Sequence, residues 1–82
     1  MKITKEDFEV IFEIGFLNVN SIKSLTGRIA KNEETTKDKL NALIKKGILE
    51  SDKHGIYSFT NKGKKIWNDK KYDKWKEELE EK

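Results

Sequence analysis

The chain has 82 residues, 40% of them charged and 34% apolar, so it fits one domain with a small core under a heavily solvated surface. That is close to the lower size limit for independent stability, where dimerisation helps. Eighteen basic and fifteen acidic residues leave a net charge of +3, which does not by itself imply nucleic acid; the lack of cysteine excludes disulfides, cysteine-ligated zinc and thiol nucleophiles. No apolar run has the length of a signal peptide or a membrane span, so the expectation is a cytoplasmic protein with no membrane partner.

Thr4-Lys5-Glu6-Asp7 reads as a helix start, with Thr4 as cap and two carboxylates where the helix dipole favours negative charge. Phe8, Ile11, Phe12 and Gly15 then share a stripe widened by Val10 and Ile14, and the spacing predicts a first helix from about Lys5 to Ile14. Its other side is acidic through Glu6, Glu9 and Glu13. After a mixed stretch, Phe16 to Asn20, either Asn20 or Ser21 can cap a second helix carrying Ile22, Leu25 and Ile29. Gly27 interrupts it at a cost of about 1 kcal/mol relative to alanine, which a close helix crossing would explain.

Ala30-Lys31-Asn32 reads as a turn, and Asn32 as the cap of a third helix with Glu33 and Glu34 in its first turn, running to about Lys46. Thr36, Leu40, Leu43 and Ile44 form its inner stripe, and Glu34, Thr35, Asp38, Asn41, Ala42 and Lys45 its outer one, flanked by Lys39 and Lys46. Gly47 supplies the positive φ that stops the helix. Ile48 and Leu49 open a strand, Asp52-Lys53-His54-Gly55 is a turn, and Ile56 to Phe59 suits a second strand. Thr60 can cap a further helix whose apolar face begins at Ile66 and Trp67. Asn68-Asp69 marks a bend, after which Tyr72, Trp75 and Leu79 recur at helical spacing.

The run L-x-x-L-x-x-x-G-I-L at Leu40, Leu43, Gly47, Ile48 and Leu49, followed by Y-x-F-T-x-x-G-x-x-I-W at Tyr57, Phe59, Thr60, Gly63, Ile66 and Trp67, resembles the recognition helix and wing of winged helix-turn-helix proteins. It is similar to small bacterial, archaeal and viral regulators, some of which dimerise through a C-terminal helix. The resemblance implies an α+β fold of three helices, a small antiparallel wing sheet and a C-terminal helix. It divides the chain into a winged-helix domain, residues 1–67, and a helical extension, 68–82. A brief strand within Phe16 to Asn20 would pair with the wing.

The same resemblance places the third helix in the major groove of double-stranded DNA. Thr35, Asn41 and Lys45 then become base or backbone contacts, with Asn32 at the helix start. Lys31, Lys39 and Lys53 would hold phosphates, and Lys53 and His54 would reach from the wing tip. Glu34 and Asp38 oppose phosphate attraction from the same face, although a carboxylate can accept from cytosine N4. The acidic side of the first helix should face away from DNA or towards a partner.

Two readings compete for the tail. In one, Tyr72, Trp75 and Leu79 pair with their copies in a homodimer, basic segments facing acidic ones; in the other, Tyr72 and Trp75 fold back onto the first helix, whose acidic side meets the tail lysines. The homodimer is the expectation. The expected function is a small DNA-binding transcriptional regulator, and its rival is a protein-binding module of viral or mobile-element origin, engaging a host enzyme or polymerase subunit through the third helix or the tail. One histidine, no cysteine and no glycine-rich phosphate loop leave no constellation for catalysis, so no enzyme activity, cofactor or metal is expected.

Overall fold

The computed structural model describes residues 3–81. Helix α1 (Lys5–Gly15) begins with a reciprocal cap: the Thr4 hydroxyl accepts from the Asp7 N–H at 3.1 Å, and the Asp7 carboxylate accepts from the Thr4 N–H at 3.2 Å. Its buried face is Phe8, Val10, Ile11, Phe12 and Ile14. Gly15 lies so close to the Trp67 ring that a Cβ there would sit 2.8 Å from it, so this position must stay small.

The stretch expected to form a strand is irregular. It reduces to a bridge between Ser21 and Ile56, beside a hydrogen bond from the Tyr57 N–H to the Asn20 carbonyl at 2.8 Å. Helix α2 (Ile22–Leu25) is a single turn capped by Ser21. The second helix is thus shorter than its periodicity suggests, and the reason is Gly27. Its φ of +92° lies outside the helical range, and nothing stands within 4 Å of where its Cβ would be. Gly27 therefore serves backbone conformation, not the close helix crossing expected. Leu25 and Ile29 are buried even so.

Asn32 caps α3 (Glu33–Lys45), its Oδ1 accepting from the Thr35 N–H at 2.8 Å. Thr36, Leu40 and Leu43 are buried along one side. Gly47, at φ +79°, ends the helix, and the Ile48 N–H returns to the Leu43 carbonyl at 3.0 Å. Strands β1 (Leu49–Ser51) and β2 (Tyr57–Phe59) pair antiparallel in the register Leu49–Phe59, Glu50–Ser58, Ser51–Tyr57. Asp52 holds the turn, its Oδ1 accepting from the N–H groups of His54 and Ile56 at 2.8 and 3.0 Å.

Helix α4 (Asn61–Trp67) is capped by Thr60, which also donates to the Gly47 carbonyl and so ties the hairpin base to the end of α3. Gly63 packs directly on the hairpin, where a Cβ would fall 2.2 Å from the Ile48 carbonyl oxygen. The expected bend at Asn68-Asp69 leads into a 3₁₀ turn (Lys70–Tyr72) and helix α5 (Asp73–Glu80). Among the described residues the architecture is thus a small α+β domain with five α-helices and one two-stranded sheet. None of these helices is long and apolar enough to cross a membrane.

The segment after Trp67 packs on α1. Tyr72 is 7% exposed, its ring stacked 5.2 Å from Phe8, and Trp75 lies 5.6 Å from the same ring. Leu79 is half-buried against the same core. Tyr72, Trp75 and Leu79 therefore cover their own α1, which is the fold-back arrangement. The tail thus shares the cover of Phe8 with the Trp67 ring of α4, which stacks 6.1 Å from it. The ionic contacts are opposite to those expected: Lys5 of α1 meets Glu78 of the tail at 2.6 Å, while the tail's Lys76 turns inward over the Trp67 ring at 4.4 Å.

Candidate functional site

Helix α3 has two sides with opposite fates. The inner side meets α2 at two hydroxyl groups: Thr36, fully buried, donates to the Asn32 carbonyl at 2.8 Å, and the Thr26 hydroxyl shares its single proton between the Ile22 carbonyl at 2.7 Å and the Thr36 oxygen at 3.3 Å. A buried hydroxyl so satisfied costs little to desolvate and joins the one-turn α2 to the longer α3. The outer side carries Glu34, Thr35, Asp38, Asn41, Ala42 and Lys45, all exposed. Asp38, Asn41, Ala42 and Lys45, together with Ile44, line an open depression of about 440 Å³.

Thr35, Asn41 and Lys45 thus lie on one exposed helix face, as the periodicity implied. Lys31 is exposed in the turn before it. The Asn32 side-chain oxygen is held by its capping bond, which leaves its amide nitrogen and one lone pair of that oxygen for a ligand. Lys39 is half-buried at the margin of the face. Lys53 and His54 are exposed at the hairpin tip, on a separate element. Tyr72, Trp75 and Leu79 are not brought to this surface. Lys46, read as a flank of the outer face, instead reaches the Asp7 carboxylate at 2.6 Å.

That pair perturbs Asp7. Burial alone raises its carboxyl pKa, but the Lys46 hydrogen bond, the Thr4 N–H, the Lys46 charge and the Thr4 hydroxyl together outweigh it and hold the group below the usual carboxylate range. Asp7 therefore joins the start of α1 to the end of α3 as an ion.

Helix α3 as a whole is electrically balanced, and the outer face named above, with Glu34 and Asp38 against Lys45, carries one net negative charge. Within Glu33–Lys45, Lys37, Lys39 and Lys45 are matched by Glu33, Glu34 and Asp38. Sequence reasoning missed a second surface feature, a groove of about 240 Å³ lined by Glu9, Phe12, Glu13, Leu17, Arg28, Ile29 and Leu79. Arg28 closes one side through its bond to Glu13 at 2.9 Å. Phe16 and Leu17, 46% and 43% exposed, are the largest uncovered apolar groups near it. The i, i+4 offset of Phe16 from Phe12 was a legible signal, since it continues the α1 stripe past the helix end.

No family model matches the chain, and no curated protein and no solved structure matches it either.

Proposed function

We propose that the chain is a winged-helix protein that binds double-stranded DNA as a small transcriptional regulator, with α3 in the major groove and the β1–β2 hairpin as wing. The observation that carries this reading is the division of α3. Its inner side is fixed to α2 through Thr36 and Thr26, and its outer side presents Thr35, Asn41 and Lys45 with no covering element. A groove about 12 Å wide admits one α-helix, and hydroxyl, amide and ammonium groups are the types that meet bases and phosphates there. The short one-turn α2 followed by α3 supports a helix-turn-helix, and the hairpin directly after α3 supports the wing.

In this reading Asn41 pairs with a base edge, Thr35 and Lys45 contact base or backbone, and Lys31 and Lys53 hold phosphates. Asp38 and Glu34 reject phosphate and select against bases that lack a donor at the facing position. The test is selection from a random duplex library, followed by titration of single variants. Lys45→Glu and Lys53→Glu should each weaken duplex binding, and Asn41→Ala should relax the selected sequence. Unchanged affinity of both charge variants at moderate salt removes those contacts, and no duplex affinity even at low salt transfers the outer face of α3 to a protein partner.

A further inference from the structure

The positive charge of this protein is not where its outward-facing α3 is. Of eighteen basic and fifteen acidic residues, seven lysines and two aspartates fall within residues 62–76, so eleven basic and thirteen acidic residues remain elsewhere. The rest of the chain is thus slightly acidic and α3 is neutral. Six of the seven lysines, Lys62, Lys64, Lys65, Lys70, Lys71 and Lys74, are exposed, and none of the six forms an ion pair among the described residues. The seventh, Lys76, is turned inward onto Trp67.

The fold turns the other six lysines of this segment, here called the ridge, away from the core along α4, the 3₁₀ turn and α5. Gly63, Ile66 and Trp67 hold α4 down on the hairpin and α1, which aims Lys64 and Lys65 outward. Lys62 runs beside Gly47, its stem 3.8 Å from where a Cβ on that glycine would lie, so the ridge starts at the C-terminal end of α3. From there the chain continues through the bend to Lys70, Lys71 and Lys74.

We infer that this ridge is a phosphate-backbone contact for duplex nucleic acid and supplies most of its electrostatic affinity, while α3 supplies sequence preference. The inference rests on the DNA-binding reading above and adds to it a surface that the resemblance did not assign. The chemistry of the ridge favours a duplex over the other anionic partners. Its aromatic rings, Trp67, Tyr72 and Trp75, face α1, so no exposed ring is left on which the bases of a single strand would stack. Its apolar side chains also point inward, so it lacks the insertable face with which an interfacial helix grips a membrane. What remains is a set of six exposed ammonium groups on flexible stems, the minimum for backbone contact and counterion release.

The experiment uses the full chain and a random-sequence duplex, with affinity measured by fluorescence anisotropy over a salt series. Triple variants Lys62→Gln/Lys64→Gln/Lys65→Gln and Lys70→Gln/Lys71→Gln/Lys74→Gln are compared with Lys45→Gln/Lys53→Gln and with a charge control, Lys23→Gln/Lys37→Gln. Circular dichroism checks that each remains folded. Each ridge triple should lose about tenfold or more in affinity and flatten the plot of log affinity against log salt by about 2 to 3, whatever the duplex sequence. The control should keep the slope to within the effect of its two charges on the overall field. Ridge variants that keep both affinity and slope while the Lys45/Lys53 variant loses them overturn the ridge and leave the α3 reading standing. Loss confined to the ridge variants, with Asn41→Ala without effect on sequence preference, supports the ridge and overturns the α3 assignment. A chain that binds phosphatidylserine vesicles and not duplex at low salt overturns both.

Discussion

The face where α1 meets the C-terminal segment and the turn where α2 meets α3 are built from opposite materials. The first is a stack of rings: Phe8 lies 6.1 Å from Trp67, 5.2 Å from Tyr72 and 5.6 Å from Trp75. The second is a pair of threonine hydroxyls and an asparagine cap. Rings cover large areas without demanding one angle, and each pair adds about 0.5–1.5 kcal/mol beyond the area it buries. Hydroxyls contribute less but fix orientation, because a hydrogen bond weakens steeply when misaligned. The molecule thus places its ring packing beneath the segment proposed to hold phosphates, where no one angle is required, and its geometric definition beneath the face proposed to read sequence.

The comparison breaks first at the ring stack. Phe8→Ala removes the ring that three others share and should cost about 3–5 kcal/mol in chemical denaturation, enough to leave so small a domain marginal. A loss under 1 kcal/mol would mean that the C-terminal segment does not pack on α1. Sedimentation of the unsubstituted chain sharpens the same point: with Tyr72, Trp75 and Leu79 covering their own α1, the mass should not rise with concentration through that stripe. Close behind stands Gly63→Ala. Its Cβ would press on the Ile48 carbonyl oxygen, and backbone cannot yield as a side chain does, so about 3 kcal/mol is expected by thermal or denaturant unfolding.

The local features of this fold were legible because their causes lie within a few residues. Thr4, Asn32 and Thr60 each cap through a backbone N–H three positions on, and Asp52 with Gly55 closes a turn on itself. The inner stripe of α3 was equally legible, since Thr36 occupies a position the period requires to be inside. The length of α2 was not, because Ile22, Leu25 and Ile29 can all be buried whether the chain between them is helical or, as here, leaves the helix at Gly27. The destination of Tyr72 and Trp75 was not legible either: a helical stripe states that something covers it, and only the tertiary arrangement states that α1 does. The pairs Asp7–Lys46 and Glu13–Arg28 are likewise set by elements far apart in sequence. At the candidate site, exposure of Thr35, Asn41 and Lys45 followed from the period, while the concentration of unpaired lysines beyond the hairpin needed the fold to become a surface.

Asp7 connects the two regions, and acid should weaken that connection. Its folded pKa lies below the ordinary value near about 4, so its contribution is fully present above that value and is lost as pH falls through the lowered folded one. Asp7→Asn should therefore cost about 1–3 kcal/mol between pH 5 and 8, through the lost ion pair and the weakened cap. The gap between the two proteins should close only below about pH 4. A gap that stays constant down to pH 2 would show that Asp7 acts by shape and not by charge.

The smallest effect expected on stability is the most informative about function. Thr36→Val keeps the volume of the side chain but removes its donation to the Asn32 carbonyl and the longer arm of the proton that Thr26 shares with the Ile22 carbonyl. Thr26 retains its bond to the Ile22 carbonyl at 2.7 Å, so only one buried partner is weakened and about 1 kcal/mol should be lost. If the hydroxyl link merely fills space, duplex affinity will follow stability and barely change. If it sets the angle at which α3 stands out from α2, the variant remains folded at working temperature yet binds its selected sequence less tightly, while its affinity for random duplex is unaltered. That separation would be measured as a fall in the specific-to-random affinity ratio at one salt concentration. A ratio that does not move would deny the threonine pair any part in presenting α3, and would leave the Asp7–Lys46 pair and the apolar core to hold that helix in place.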